Sequence, residues 1–246
     1  MSPRVWITGA SSGIGAALAR ELRTRGARVA VSARRTELLA KVAGGDMLVQ
    51  PVDVMDRVSV LVAAEKVIDV FGGIDVVVLN AGAWSRFDVT NWDADAFRRQ
   101  FEVNVMGMSH GVEAVLPTML EQGSGTIVGV ASVAGYRGMP GGEAYSATKA
   151  AQINLLESLR GGLRHRGIRV QTVCPGFVRT AMTATNDFPM PFMVEPAYAA
   201  RKIADGIASG KPEIVFPPQM ALLMKAARFV PVGLWSWANS KLAARR

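Results

Sequence analysis

Thiol and imidazole groups are scarce: the 246-residue chain has one cysteine, Cys174, and two histidines, His110 and His165. A lone thiol closes no internal disulfide, which excludes a disulfide scaffold and, with it, a Cys-rich zinc site. Neither histidine has a ligand partner at useful spacing, so no metal is expected. No uncharged apolar run approaches the ~18 residues that a membrane helix needs. The N-terminus also lacks a basic segment leading into an apolar one. Neither a membrane span nor a secretory leader is therefore expected, and the expected location is cytoplasmic.

Acidic residues are missing from one region. Residues 217–246 carry five basic side chains (Lys225, Arg228, Lys241, Arg245 and Arg246) and no Asp or Glu. Of the chain's 28 basic and 20 acidic residues, positions 1–216 hold 23 and 20, a net of +3 against +8 for the whole. The excess belongs to the tail. The body lacks the basic stripe with base-stacking aromatics of a nucleic-acid binder, and no nucleic-acid partner is expected.

What is present is apolar and glycine-rich. Half the residues are hydrophobic (50%), 20% are charged and 25 are glycine. That composition excludes a disordered chain and a collagen-like fibre, and the length suits one α/β domain. Apolar runs predict strands at 5–8, 29–32, 47–54, 74–79, 126–131, 168–173 and 214–216. Helical spacing occupies 14–25, 57–71, 93–122, 144–165 and 196–209. Strands apolar throughout imply a parallel sheet covered on both faces, and repeated β-α-β order makes it doubly wound. The expected fold is a single doubly wound, Rossmann-like α/β domain with a central parallel sheet of about seven strands. It occupies residues 1–216, and 217–246 are read as a basic amphipathic helical extension of the same domain.

Between the first strand and first helix lies Thr8-Gly9-Ala10-Ser11-Ser12-Gly13-Ile14-Gly15. Glycines here permit a tight turn, let backbone approach a pyrophosphate, and bring helix close to strand. The helix N-terminus adds unpaired N–H groups and a positive dipole end. Gly9, Ser11, Ser12, Gly13, Ile14 and Gly15 are the candidate dinucleotide-binding residues, although a bland strand-to-helix turn can also carry several glycines. About 20 positions on, such folds place a carboxylate for a ribose 2′-hydroxyl or an arginine for a 2′-phosphate. The second strand ends Ser32-Ala33-Arg34-Arg35, with no carboxylate. Arg34, with Arg35 beside it, is the expected phosphate reader, so NADP is expected ahead of NAD.

Tyr145 and Lys149 are spaced i, i+4, which puts phenol and ammonium on one helical face. A free tyrosine titrates near ~10, and a neighbouring ammonium favours the phenolate. Ser132 ends the fifth strand, at the edge where open α/β sheets bind ligands. Singly these features are common. Together, TGASSGIG, Asn80-Ala81-Gly82, Asn104, Ser132, Tyr145, Lys149 and Pro175-Gly176 resemble the classical short-chain dehydrogenases/reductases in order and spacing over about residues 4–216.

The resemblance implies a hydride transfer between a nicotinamide cofactor and a carbonyl or secondary alcohol. It implies that Tyr145 is the general acid/base, that Ser132 holds the substrate oxygen, and that Lys149 binds the nicotinamide ribose and lowers the tyrosine's pKa. Asn104 would organise a water relay to the lysine. Asp53 and Val54 would lie beside the adenine, and Asn80, Ala81 and Gly82 beside its ribose. Pro175, Gly176, Val178 and Thr180 would lie near the nicotinamide and the phosphates. A homodimer or homotetramer is implied as well. Two departures occur, Leu79 in place of a first asparagine and Gly129-Val-Ala131 before Ser132.

The lid region, about 180–195, is rich in Met182, Phe188, Met190, Phe192 and Met193. An adaptable apolar wall suits an apolar small-molecule substrate, although the same side chains could simply anchor the lid. In the tail, Met220, Leu223, Met224 and Ala227 recur at helical spacing, followed by Leu234, Trp235, Trp237 and Leu242 among basic residues. Packing on the body, a subunit interface and a membrane-surface contact all fit that pattern. The competing functional reading is a membrane-associated or regulatory NAD(P)-binding module with negligible turnover.

Overall fold

Seven strands, β1 (Arg4–Thr8), β2 (Arg28–Ser32), β3 (Leu48–Val49), β4 (Val76–Leu79), β5 (Gly125–Val130), β6 (Ile168–Pro175) and β7 (Glu213–Phe216), form one sheet. Their order is β3-β2-β1-β4-β5-β6-β7, with every neighbouring pair parallel. The computed structural model describes residues 2–243, with side chains through Lys241. Arg245, Arg246 and the side chain of Leu242, which entered the reading of the tail, lie outside the described residues.

The strands are apolar throughout because alternate residues are buried on opposite faces. Val5 and Ile7 of β1 and Val76 and Val78 of β4 pack towards α1 (Gly13–Thr24) and α8 (Pro196–Ala208), among Leu18, Leu22 and Ile203. Trp6 and Val77 point the other way. They meet α3 (Arg57–Phe71), α5 (Gly107–Gln122) and α6 (Glu143–Leu163) through Val67, Val115, Met119 and Leu156. Trp6 is fully buried, and its indole N–H finds the partner that burial requires in Ser32 Oγ at 2.8 Å.

The structure departs from the sequence expectations at five places. The third strand is Leu48–Val49 alone, far shorter than 47–54. Beyond it the chain stays tied to the β2 side only through Gln50 N to Val31 O (3.0 Å) and Val52 N to Ala33 O (3.1 Å), before Val52, Asp53 and Val54 turn into the cleft wall. The expected long helix over 93–122 is three pieces: α4 (Ala94–Phe101), a π-helical turn (Glu102–Met106) and α5. At that turn the Asn104 side chain is bonded out to Ala83, and Gly107 comes so close to Val54 that a Cβ would stand 2.8 Å from its Cγ2. A helix outside the expected set, α2 (Thr36–Ala43), buries Leu39, Val42 and Ala43. A four-residue helix, α7 (Ala181–Ala184), starts the lid region.

The fifth departure is in the tail. It forms α9 (Pro218–Ala227) and α10 (Val232–Ala243). Met220, Met224 and Ala227 are buried at i, i+4, i+7, but Leu223 falls off that stripe and is 54% exposed.

Candidate active site

The sheet reverses its winding between β1 and β4, and a crevice opens there at the strands' C-terminal ends. The glycine-rich turn is keyed into this point. Asn80 Nδ2 donates to Thr8 O and Gly9 O, both at 3.1 Å, tying the turns after β4 and β1 together. A Cβ on Gly9 (φ +68°) would stand 2.7 Å from Ala81 Cα, and one on Gly15 2.5 Å from Asn80 Nδ2. Only glycine admits this approach. No acidic residue occupies the first turn of α1, so its N-terminal N–H groups face the crevice without an internal counter-charge.

The cleft measures about 300 Å³. All the catalytic and cofactor-binding residues proposed from the sequence line it except Gly15 and Asn104, whereas of the five apolar lid residues only Met182 does. Gly15 packs behind the turn, and Asn104 is fully buried behind Ala83, whose N–H it accepts at Oδ1 (2.7 Å) and whose carbonyl it meets through Nδ2 (3.0 Å). Arg34 is exposed at the cleft's rim, whereas Arg35 Nη2 donates to Ser11 Oγ (3.1 Å) and Ser12 Oγ (3.0 Å) on the turn itself. These residues fit a nicotinamide dinucleotide: a backbone cradle for a pyrophosphate, two guanidinium groups beside it, and apolar walls at Val54 and Val103.

At the other end stand Ser132, Tyr145 and Lys149. Ser132 follows β5 and caps a short 3₁₀ turn by accepting Ala134 N–H at 3.1 Å. Its hydroxyl also donates to Pro175 O at 3.3 Å, and it lines the cleft together with Tyr145. Lys149 is buried, with Nζ 5.4 Å from the centre of the Tyr145 ring. Burial opposes the expected lowering of the tyrosine pKa. Burial pushes the phenol up to about 12, with Ser132 pulling the other way, and burial pushes Lys149 down to about 8. Cys174, beneath them at the end of β6, is fully buried and pushed up to about 11 by burial.

Two side chains here were missed in the sequence. Gln152 is fully buried, accepts from Lys149 Nζ at Oε1 (2.8 Å), and donates from Nε2 to the Asn104 carbonyl. It thus joins the Lys149 ammonium to the main chain at Asn104. Its spacing of i, i+3 from Lys149 was the available signal. Trp84, two residues beyond Gly82, sets its ring edge to face with Tyr145 at 5.2 Å and donates from Nε1 to Asn186 Oδ1 at 2.9 Å. Phe188 stands 6.5 Å from Trp84 and 6.1 Å from Phe177, and Arg86 pairs with Asp187 at 2.6 Å. The lid is thereby fastened to the loop after β4.

A parallel doubly wound sheet with this turn at its switch point defines a dinucleotide-binding α/β protein. Residues 3–189 match the short chain dehydrogenase family, and the chain belongs to it. It is an oxidoreductase of the NAD(P)-dependent dehydrogenase/reductase type. A protein of Myxococcus xanthus (strain DK1622) described as an uncharacterized oxidoreductase is 39% identical over 250 residues, 96% of each chain. The crystal structure of a short chain dehydrogenase/reductase from Burkholderia phymatum in complex with NAD is similar at 25% identity and TM-score 0.84, covering 91% of this chain and 92% of that one. An alcohol dehydrogenase from Thermococcus sibiricus complexed with 5-hydroxy-NADP is similar at 26% identity and TM-score 0.79, covering 87% and 96%.

Proposed function

We propose that this chain is an NADP-preferring oxidoreductase that acts on the carbonyl or secondary alcohol of an apolar small molecule, with Tyr145 as general acid/base. One observation carries the reading. A phenol, a serine hydroxyl and a buried ammonium all line the cleft that begins at the glycine-rich turn.

The bound nicotinamide supplies or accepts the hydride. In the reductive direction Tyr145 is fully protonated at neutral pH, because burial holds it at about 12, and it gives that proton to the carbonyl oxygen as charge develops there. Ser132 holds the same oxygen with its hydroxyl. The Lys149 ammonium, 5.4 Å from the ring, offsets the charge left on the phenolate. Gln152 keeps Lys149 aimed at that spot, and Asn104 anchors Gln152 through its carbonyl. In oxidation the same atoms run in reverse.

The NADP preference rests on Arg34 at the cleft rim and on the lack of a carboxylate at the end of β2. The apolar substrate rests on Trp84 beside Tyr145, on the rings of Phe188 and Phe177 that continue from Trp84, and on Met182 in the cleft wall. Tyr145→Phe tests the assignment. Turnover of a panel of apolar carbonyls with NADPH should fall about 10²–10⁴-fold, with NADPH binding by nicotinamide fluorescence unchanged. Wild-type turnover in that variant would overturn it.

A further inference from the structure

The tail helices present a face that nothing on the body covers. On α10, Trp235 points inward, its Nε1 donating to Gly138 O at 2.9 Å. Leu234 (55% exposed), Trp237 (56%) and Lys241 lie along the opposite side at i, i+3, i+7. Phe229, at the junction of the two helices, is 88% exposed, and Leu222 on α9 is 75% exposed. Single exposed apolar residues are ordinary; a cluster of this size on two consecutive helices marks a surface that meets an apolar phase.

The charge on this face selects its partner. Residues 217–246 contain no Asp or Glu, and Arg228 and Lys241 are exposed. The acid that touches the patch, Glu213, is already paired with Lys225 at 2.5 Å. A second copy docked about a two-fold axis would set like charges against each other, since such an interface repeats one patch on both sides. An anionic lipid surface matches both features, with cations at the headgroups and Phe, Leu and Trp in the acyl boundary. No helix among the described residues is long and apolar enough to cross a membrane, so contact is in the plane of the surface.

We propose that α9 and α10 dock this protein on an anionic bilayer, with the cleft opening beside the contact. The inward sides of the same helices adjoin the cleft and the loop that leads into its helix. A Cβ on Gly176, which lines it, would stand 2.8 Å from Met220 of α9, and the loop held by Trp235 runs into the helix of Tyr145. Docking of this kind brings the cleft to where apolar molecules dissolve.

The test is co-sedimentation of the full chain with vesicles of phosphatidylcholine alone or mixed with phosphatidylglycerol. Binding is expected to the mixed vesicles only. It should weaken about tenfold or more when both Phe229→Ser and Trp237→Ser are introduced, and again as salt rises and the Debye length shrinks from ~10 Å at 0.1 M to ~3 Å at 1 M. Tyr145→Phe should bind like the wild type, so failure of the catalytic reading leaves this measurement intact. Equal recovery with both vesicle types, or none with either, overturns the proposal. So does a double variant that splits an oligomer in analytical ultracentrifugation while vesicle binding stays unchanged, which would assign the face to a second copy.

Discussion

Gln152→Leu asks whether one buried amide sets the working state of Lys149. Leucine approximates the shape of glutamine and removes both polar ends. Lys149 Nζ keeps Val130 O at 3.0 Å and loses Gln152 Oε1 at 2.8 Å, while the Asn104 carbonyl loses the Gln152 donor. A hydrogen bond to a charged group contributes ~1.5–3 kcal/mol, and an orphaned buried carbonyl costs ~1–3 kcal/mol. The sum, about 2.5–6 kcal/mol, corresponds to a Tm lowered by roughly 5–24 °C in a domain of this size. Loss of the acceptor also weakens the ammonium form alone, by an amount worth about one pK unit or more. Lys149 already stands at about 8, and a base pushed down loses its proton at lower pH. The alkaline limb of kcat/KM with saturating NADPH should therefore move to lower pH by about one unit. Gln152→Glu is the companion variant: its carboxylate favours the ammonium and should move the same limb upward, while it cannot donate to Asn104. A folded Gln152→Leu protein whose pH profile superimposes on the wild type, with Gln152→Glu equally unmoved, would refute the reasoning and reduce Gln152 to packing.

Three further outcomes follow from other parts of the molecule. Arg34→Ala should weaken NADPH binding by roughly 10–100-fold, the contribution of a charge-assisted pair, and leave NADH within about twofold; equal losses for both would deny Arg34 the role of phosphate reader. Trp84→Ala removes the ring against Tyr145 and the anchor of Asn186, so KM for bulky apolar carbonyls should rise about tenfold, and an unchanged KM would leave the lid aromatics as packing. Asp75 lies below its ordinary 3.8 because Arg4 donates to it from side chain and backbone, at 2.6 Å from Nη2. A carboxyl lowered on folding contributes stability that is full above 3.8 and is lost as pH falls through its folded value; Asp75→Asn should remove that part of the acid limb in denaturation curves, and an unaltered limb would assign it elsewhere.

The two helical and strand periodicities are local, and so the β-α alternation, the parallel all-apolar strands and the glycine-rich turn could be read from residues alone. So could the shared face of Tyr145 and Lys149, four residues apart on one helix. The sequence also showed the acid-free tail, because charge counts need no fold. Tertiary structure decided what depends on partners far along the chain. Gln152 meets Asn104 across 48 residues and Trp84 meets Asn186 across 102, and no local spacing encodes either contact. The break in the helix at Asn104 and the two-residue β3 arise where one segment yields to another, Asn104 to Ala83 and the chain after Val49 to the cleft. Which apolar residues of the tail face water was also beyond the pattern, since Leu223 belongs to the same helical stripe on paper and the body covers only its neighbours Met220 and Met224. Periodicity marks where an apolar face exists; only the packed molecule supplies, or withholds, the surface that covers it.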